Sequence, residues 1–187
     1  MVENIGTKML ETERLVLRRF TKEDAEKVYA SWVTDAETTK YLTWEVHDDF
    51  SLTKSIVDSW VDAYSKEEFC YNWIVELKDT KEVIGNIAAR DFSIVDESCE
   101  VAYCYSSKYF GKGYATEALK KVINFFFEDV NLHTITAYHI GGNIASGKVM
   151  EKSGMQKVAV IPERKYNKVT KKLDDEVIYF IANRNFK

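Results

Sequence analysis

Gly111 and Gly113 stand one residue apart in Lys108-Tyr109-Phe110-Gly111-Lys112-Gly113-Tyr114-Ala115, between a strand-like run and a strong helix pattern. Two glycines so placed let the backbone turn tightly and aim several N–H groups outward. The helix behind them adds its own unpaired N–H donors and the positive end of its dipole. Lys108 and Lys112 add cationic charge. A G-x-G alone matches many loops; its placement between a strand and a helix start is what suits it to a pyrophosphate. The loop is no P-loop, because no Gly-Lys-Ser/Thr is present, and it lacks the third glycine of a dinucleotide fingerprint.

Hydrophobic spacing orders the rest of the chain. Arg14 to Phe20 alternates and reads as an edge-like strand. Thr21, with Asp24 as capping-box partner, predicts a helix carrying Ala25, Val28, Tyr29 and Trp32. Residues 35–50 are irregular and aromatic, with a short helix near Asp35 to Lys40. Ser51 predicts the cap of a further helix, whose stripe is Leu52, Ile56, Trp60 and Ala63 or Tyr64. Cys70 to Leu77 and Glu82 to Phe92 read as strands joined by a polar turn, with Gly85 marking a bulge or a close approach. Glu97 to Tyr105 is a third strand, Tyr114 to Glu128 a buried helix and His133 to Ile140 a strand. Asn143 to Ser153 is a helix closed by Gly154. Met155 to Pro162 and Glu176 to Ala182 are the last strands, with Glu163 to Lys172 a charged hairpin loop. This order predicts one α/β (α+β) domain over residues 1–187, built on a mixed sheet.

A length of 187 residues suits one domain with a sizeable core. The net charge of −4 argues against a general nucleic-acid binder. No run of roughly 18 apolar residues predicts a membrane span, and Met1 to Glu13 lacks the apolar core of a signal peptide. Cys70, Cys99 and Cys104 are odd in number and lack metal-ligand spacing, so reduced thiols, a cytoplasmic location and no metal are expected.

A second constellation is Asn143-Ile144-Ala145-Ser146, a helix start in which Asn143 suits an N-cap. Together the two constellations resemble the GNAT acetyltransferase superfamily. Its cofactor signature Q/R-x-x-G-x-G/A reads here Lys108-x-x-Gly111-x-Gly113; the lysine keeps the charge and loses arginine's planar fork. More narrowly, the chain is similar to the RimJ/RimL-type protein N-terminal acetyltransferases. The matching blocks are Thr12 to Phe20, Val83 to Ile87, Glu100 to Tyr103, Gly111 to Leu119, and Asn143-x-x-Ser146 through Glu151 to Met155. They span about residues 10–185.

That resemblance implies a mostly antiparallel mixed sheet whose central parallel strands splay, with flanking helices. It implies acetyl-CoA as donor and an amine as acceptor. A protein or peptide α-amine of the ribosomal-protein type comes first; a small amine such as a polyamine or aminoglycoside, and a non-catalytic acyl-CoA-binding module, are the alternatives. The pantetheine arm would pair with backbone at Tyr103, Cys104 and Tyr105. The pyrophosphate would rest on Phe110, Gly111, Lys112, Gly113, Tyr114 and Ala115. Asn143 and Ser146 would meet the cofactor arm, and Lys148 or Lys152 the nucleotide phosphates. A homodimer is common among similar proteins.

Chemistry narrows the catalytic residues. A thioester is attacked by a neutral amine; at pH 7 an α-amine is roughly one-seventh neutral, a lysine amine below roughly 0.1%. Glu100, just before the cofactor-pairing stretch, is the expected base. Seven residues after Asn143, where many family members carry a tyrosine acid, stands Met150; Ser146 matches a serine that some Rim-type enzymes place near the sulfur, and the resemblance implies it as acid or hydrogen-bond donor to the departing thiolate. Cys104 reads as a small buried group and His133 and His139 as structural or surface residues, while Tyr41, Trp44 and the helices before Cys70 would shape the acceptor slot.

Overall fold

The computed structural model describes residues 2–66 and 69–186. Strands β1 (Leu10–Glu11), β2 (Leu15–Arg18), β3 (Asn72–Leu77), β4 (Val83–Ser93), β5 (Ser98–Tyr105), β6 (Thr134–Ile140), β7 (Gln156–Asn167) and β8 (Lys172–Ala182) form one sheet. Its spatial order is β1-β2-β3-β4-β5-β6-β8-β7. Every neighbouring pair is antiparallel except β5 and β6, which run parallel.

The helices are α1 (Asp24–Val28), continuing into a π-helical turn at Tyr29–Val33, then α2 (Ala36–Thr39), α3 (Phe50–Lys66), α4 (Tyr114–Glu128) and α5 (Ile144–Lys152). β3 shows how they are layered. Trp73 and Val75 join Leu119, Val122 and Phe126 of α4 in one apolar cluster. Ile74, between them in sequence, joins Val28, Trp32 and Val57 in another. Successive side chains of a strand point to opposite faces, so β3 is covered on both sides. Each large apolar side chain buried this way contributes roughly 1.5–3 kcal/mol.

Several boundaries differ from expectation for physical reasons. Arg14 to Phe20 contracts to β2 and is not an edge, because the two residues of β1 pair outside it through Leu10↔Leu17. Asp49, rather than Ser51, caps α3: its Oδ1 accepts from the Ser51 N–H at 2.9 Å. The stripe of α3 turns accordingly, with Thr53 and Val57 buried and Leu52 exposed. The loop expected at Glu163 to Lys172 is mostly strand, since β7 runs through Pro162 to Asn167. Pro162 is tolerated there because β7 is the last strand of the sheet and its register slips between Ile161 and Lys165.

The start of α1 follows the expected box in half. Asp24 Oδ2 accepts from the Thr21 N–H at 2.8 Å and the Thr21 hydroxyl at 3.2 Å. Arg18 forks onto the same carboxylate at 2.7 and 2.9 Å and reaches Glu76 at 3.1 Å. The guanidinium holds the Asp24 carboxyl below its ordinary range against the pull of burial, the larger single influence.

Candidate active site

The parallel ladder of β5 and β6 has three rungs, Ser98↔Thr134, Cys99↔Ile135 and Glu100↔Thr136. Beyond them β5 stays with β4 as far as Gly85↔Tyr105, while β6 stays with β8 as far as Ile140↔Glu176. A wedge therefore opens at Glu100. Backbone groups alternate sides along a strand. The Ser106 N–H donates to the Ile84 carbonyl of β4 at 2.9 Å, which fixes the phase. Val101, Tyr103 and Tyr105 consequently turn their N–H and C=O toward the wedge. Cys104, expected to pair with a cofactor arm, instead faces its backbone toward Asn86 of β4. The Tyr105 carbonyl is already engaged by the Thr38 hydroxyl at 3.2 Å, leaving Val101 and Tyr103 as the clearer edge. Gly85 makes the close approach to β5 expected of it: a Cβ there would lie 2.2 Å from the Cys104 carbonyl oxygen.

The glycine turn lies past the end of β5. Gly111 and Gly113 both take left-handed conformations, with φ of +74° and +84°. Gly113 is the N-cap of α4, and its carbonyl accepts from Glu117 N–H at 3.0 Å. The amides of Tyr114, Ala115 and Thr116 precede that first bond and are the helix's free donors. A Cβ at Gly111 would meet nothing within 4 Å.

A clamp from the start of the chain holds this turn. Glu117 accepts from the Thr12 hydroxyl at 2.6 Å, the Arg14 N–H at 2.9 Å and Arg14 Nε at 2.7 Å. Arg14 Nη1 also donates to the Lys112 carbonyl at 3.1 Å, and its guanidinium lies 4.5 Å above the Tyr114 ring. Asp35 holds the other side. Its Oδ2 accepts from Ser107 N–H at 3.1 Å and the Thr38 hydroxyl at 2.7 Å, and its carboxyl is held down at about 2 by these donors against the opposing effect of burial.

The cationic residues expected to meet phosphates divide. Lys108 Nζ leans to Glu82 at 3.5 Å, and Lys112 Nζ lies 5.1 Å from the Tyr109 ring centroid. Phe110 is exposed at the turn, and Lys148 and Lys152 are exposed on α5.

A cavity of about 540 Å³ enters the wedge from the α1–α3 side. Glu100, Cys104, Asn143 and Ser146 all line it, as do Tyr41, Trp44 and Trp60. Burial, then the charge of Asp91, pushes the Glu100 carboxyl above its ordinary range. Asn143 caps α5: its Oδ1 accepts from Ser146 N–H at 3.3 Å. Tyr103 spans the gap, donating from its phenol to the Ser146 carbonyl at 3.0 Å and lying 2.8 Å from Ser146 Oγ. Met150, in the place of the familial tyrosine, is buried.

The remaining reactive groups are occupied otherwise. Burial pushes the Cys104 thiol up, away from a nucleophilic thiolate. His139 is buried with Nδ1 2.8 Å from the Ile140 carbonyl, and His133 stacks on Phe186 at 4.7 Å. Sequence reasoning did not single out the Arg14 clamp, the Tyr103 phenol, or Arg90 and Lys165 at the cavity wall. Arg14 and Glu117 each sit inside a familial block, and that co-occurrence was the available signal.

Comparison with known proteins agrees with this geometry. The family described as Acetyltransferase (GNAT) domain matches residues 14–156. The uncharacterised N-acetyltransferase YoaA of Bacillus subtilis is 31% identical over 162 residues, 87% of this chain and 90% of that protein. A GNAT-family acetyltransferase structure from Bacillus anthracis superposes with a TM-score of 0.83 at 26% identity, covering 95% of this chain and 100% of that one. The ribosomal-protein-S5-alanine acetyltransferase of Vibrio fischeri has the same fold, with a TM-score of 0.82 at 21% identity and coverage of 96% and 99%. The chain belongs to the GNAT acetyltransferase family, and its class of activity is N-acetyl transfer.

Proposed function

We propose that this protein moves the acetyl group of acetyl-CoA onto the α-amine of a protein or peptide, with Glu100 as base and Ser146 as donor to the leaving thiolate. The observation that carries the reading is the position of Glu100. It sits on the last rung before β5 and β6 part, faces the cavity, and has its carboxyl raised by burial. A carboxylate with a raised pKa is a better proton acceptor near neutral pH.

In this reading the diphosphate lies on the α4 amides, with Lys112 and the helix dipole supplying positive potential, while Arg14, paired with Glu117, holds the turn in place. The pantetheine arm pairs with the wedge-facing backbone of Val101 and Tyr103. The neutral amine attacks the thioester carbonyl, forming the C–N bond, while a wedge-facing N–H polarises the oxygen. The C–S bond then breaks. The amine proton passes to Glu100, and the thiolate receives a hydrogen bond or proton from Ser146. The α-amine rests on the likeness to RimJ/RimL-type blocks and on the fold shared with the Vibrio fischeri enzyme.

Free-thiol release in the presence of acetyl-CoA tests the reading on three acceptor sets: ribosomal N-terminal peptides, spermidine and aminoglycosides. Thiol release with the peptides is expected. Tight CoA binding without turnover on any amine would replace the enzyme by a binding module. Turnover restricted to spermidine or aminoglycosides would move the acceptor to small amines.

A further inference from the structure

We infer that the acceptor, in the reaction just proposed, is an amine on an aromatic or bulky apolar body with an anionic group nearby, and is not a polycation. The inference rests on that reading and on the wall of the cavity. Three tryptophans line it, Trp32, Trp44 and Trp60, together with Tyr41, Tyr138 and Leu42. Such a surface takes an apolar side chain out of water, an effect worth roughly tenfold to a hundredfold in binding.

Charge on the wall sets the second condition. Among the described residues Glu100 is the one carboxylate that lines the cavity, against two cations, Arg90 and Lys165. Arg90 is the cross-strand partner of Glu100, so the two side chains share a face of the sheet. Lys165 approaches Glu100 from β7, lying 4.3 Å from the Tyr138 ring centroid. Its partner Glu176, at 2.8 Å and shared with Arg164 at 3.8 Å, does not line the cavity. Asp91 acts on Glu100 but is not part of the lining. Lys168 and Glu45 at the rim neutralise each other at 3.2 Å. A polyamine placed with one nitrogen at Glu100 would bring its others against Arg90 and Lys165, with no second carboxylate in the described lining to receive them. A carboxylate a few bonds from the reacting nitrogen would meet those cations favourably.

The test compares the C-terminally amidated peptides Phe-Asp-Gly-Gly, Phe-Lys-Gly-Gly and Ser-Asp-Gly-Gly with spermidine, by kcat/KM and by quenching of tryptophan fluorescence. Phe-Asp-Gly-Gly is expected to lead each of the others by about tenfold, the scale of one charge contact reversed or one aromatic group lost. Free phenylalanine, whose own carboxylate takes the place of the aspartate, separates a small acceptor from a peptide. Arg90 is exposed on β4, and Arg90→Glu should shrink the preference for Phe-Asp over Phe-Lys at least about fivefold while leaving acetyl-CoA affinity unchanged.

Equal use of spermidine or Phe-Lys-Gly-Gly, or an Arg90→Glu ratio that does not move, overturns the inference. Turnover without these preferences sinks it and leaves the acetyltransfer reading intact. Saturable quenching favouring Phe-Asp-Gly-Gly without turnover sinks the acetyltransfer reading and leaves the acceptor class standing. Neither turnover nor quenching with any member overturns the acceptor class too.

Discussion

Glu100 combines a position that sequence reading reached with an environment that it did not. Its place before the wedge followed from the familial block, whereas its raised carboxyl depends on burial and on Asp91 across a turn. Glu100→Gln is expected to lower kcat by about a hundredfold or more, the usual weight of a general base. Acetyl-CoA affinity should hold. The sign with pH follows from the base working deprotonated. Wild-type kcat should fall as pH drops through a value above the ordinary 4.5, and the Gln variant should lose that acidic limb. A pH–rate profile of both proteins checks this, and matching profiles would remove Glu100 from the chemistry. The place of Ser146 at the cavity wall was reached through the family resemblance, in the block it shares with Asn143. The Tyr103 phenol beside it was not, because the contact joins residues 43 apart in sequence and depends on how far β5 leans toward α5.

Elements were legible where one physical signal dominated. The apolar stripe of α4 set both its ends, and the observed Tyr114–Glu128 agrees with them. Charge misled at β7, whose side chains are exposed almost throughout and so look like loop. Glycine positions make sharp predictions at this scale. Gly85→Ala should destabilise the fold by about 3 kcal/mol, measured by urea unfolding, because its Cβ would press on the Cys104 carbonyl backbone. Gly113→Glu should abolish acetyl-CoA binding by calorimetry, since it sets a carboxylate at the helix mouth and strains a φ of +84°. Unimpaired binding there would mean that the phosphates are held elsewhere. Asp35→Ala removes the N-cap of α2 and should cost about 1 kcal/mol. Asp35's folded carboxyl lies at about 2, below the ordinary 3.8, so its contribution to stability is present above that range and lost as pH falls toward 2.

At the scale of the molecule, the two-residue β1 was too short to show a period. The order of strands and helices from β2 onward and the mixed sheet followed from hydrophobic periodicity, and the splay of its parallel pair from the family resemblance. The layering did not, since which helices share a face is fixed by the alternation of β3 and the crossovers around it. The tie between Arg14 and the glycine turn was equally hidden: Arg14 and Glu117 lie 103 residues apart. The parts nevertheless serve one arrangement. The short parallel ladder opens a wedge, the free amides of α4 begin past the end of β5, and the Thr12–Arg14 and Asp35 contacts hold the turn between them.

The most direct test of that arrangement is residue-resolved amide hydrogen exchange with and without acetyl-CoA. Slower exchange on binding is expected at Val101 and Tyr103 in the wedge and at Tyr114 to Thr116 on the helix mouth, with little change along β2 and β3. Saturable binding that leaves those five amides unprotected would contradict the account.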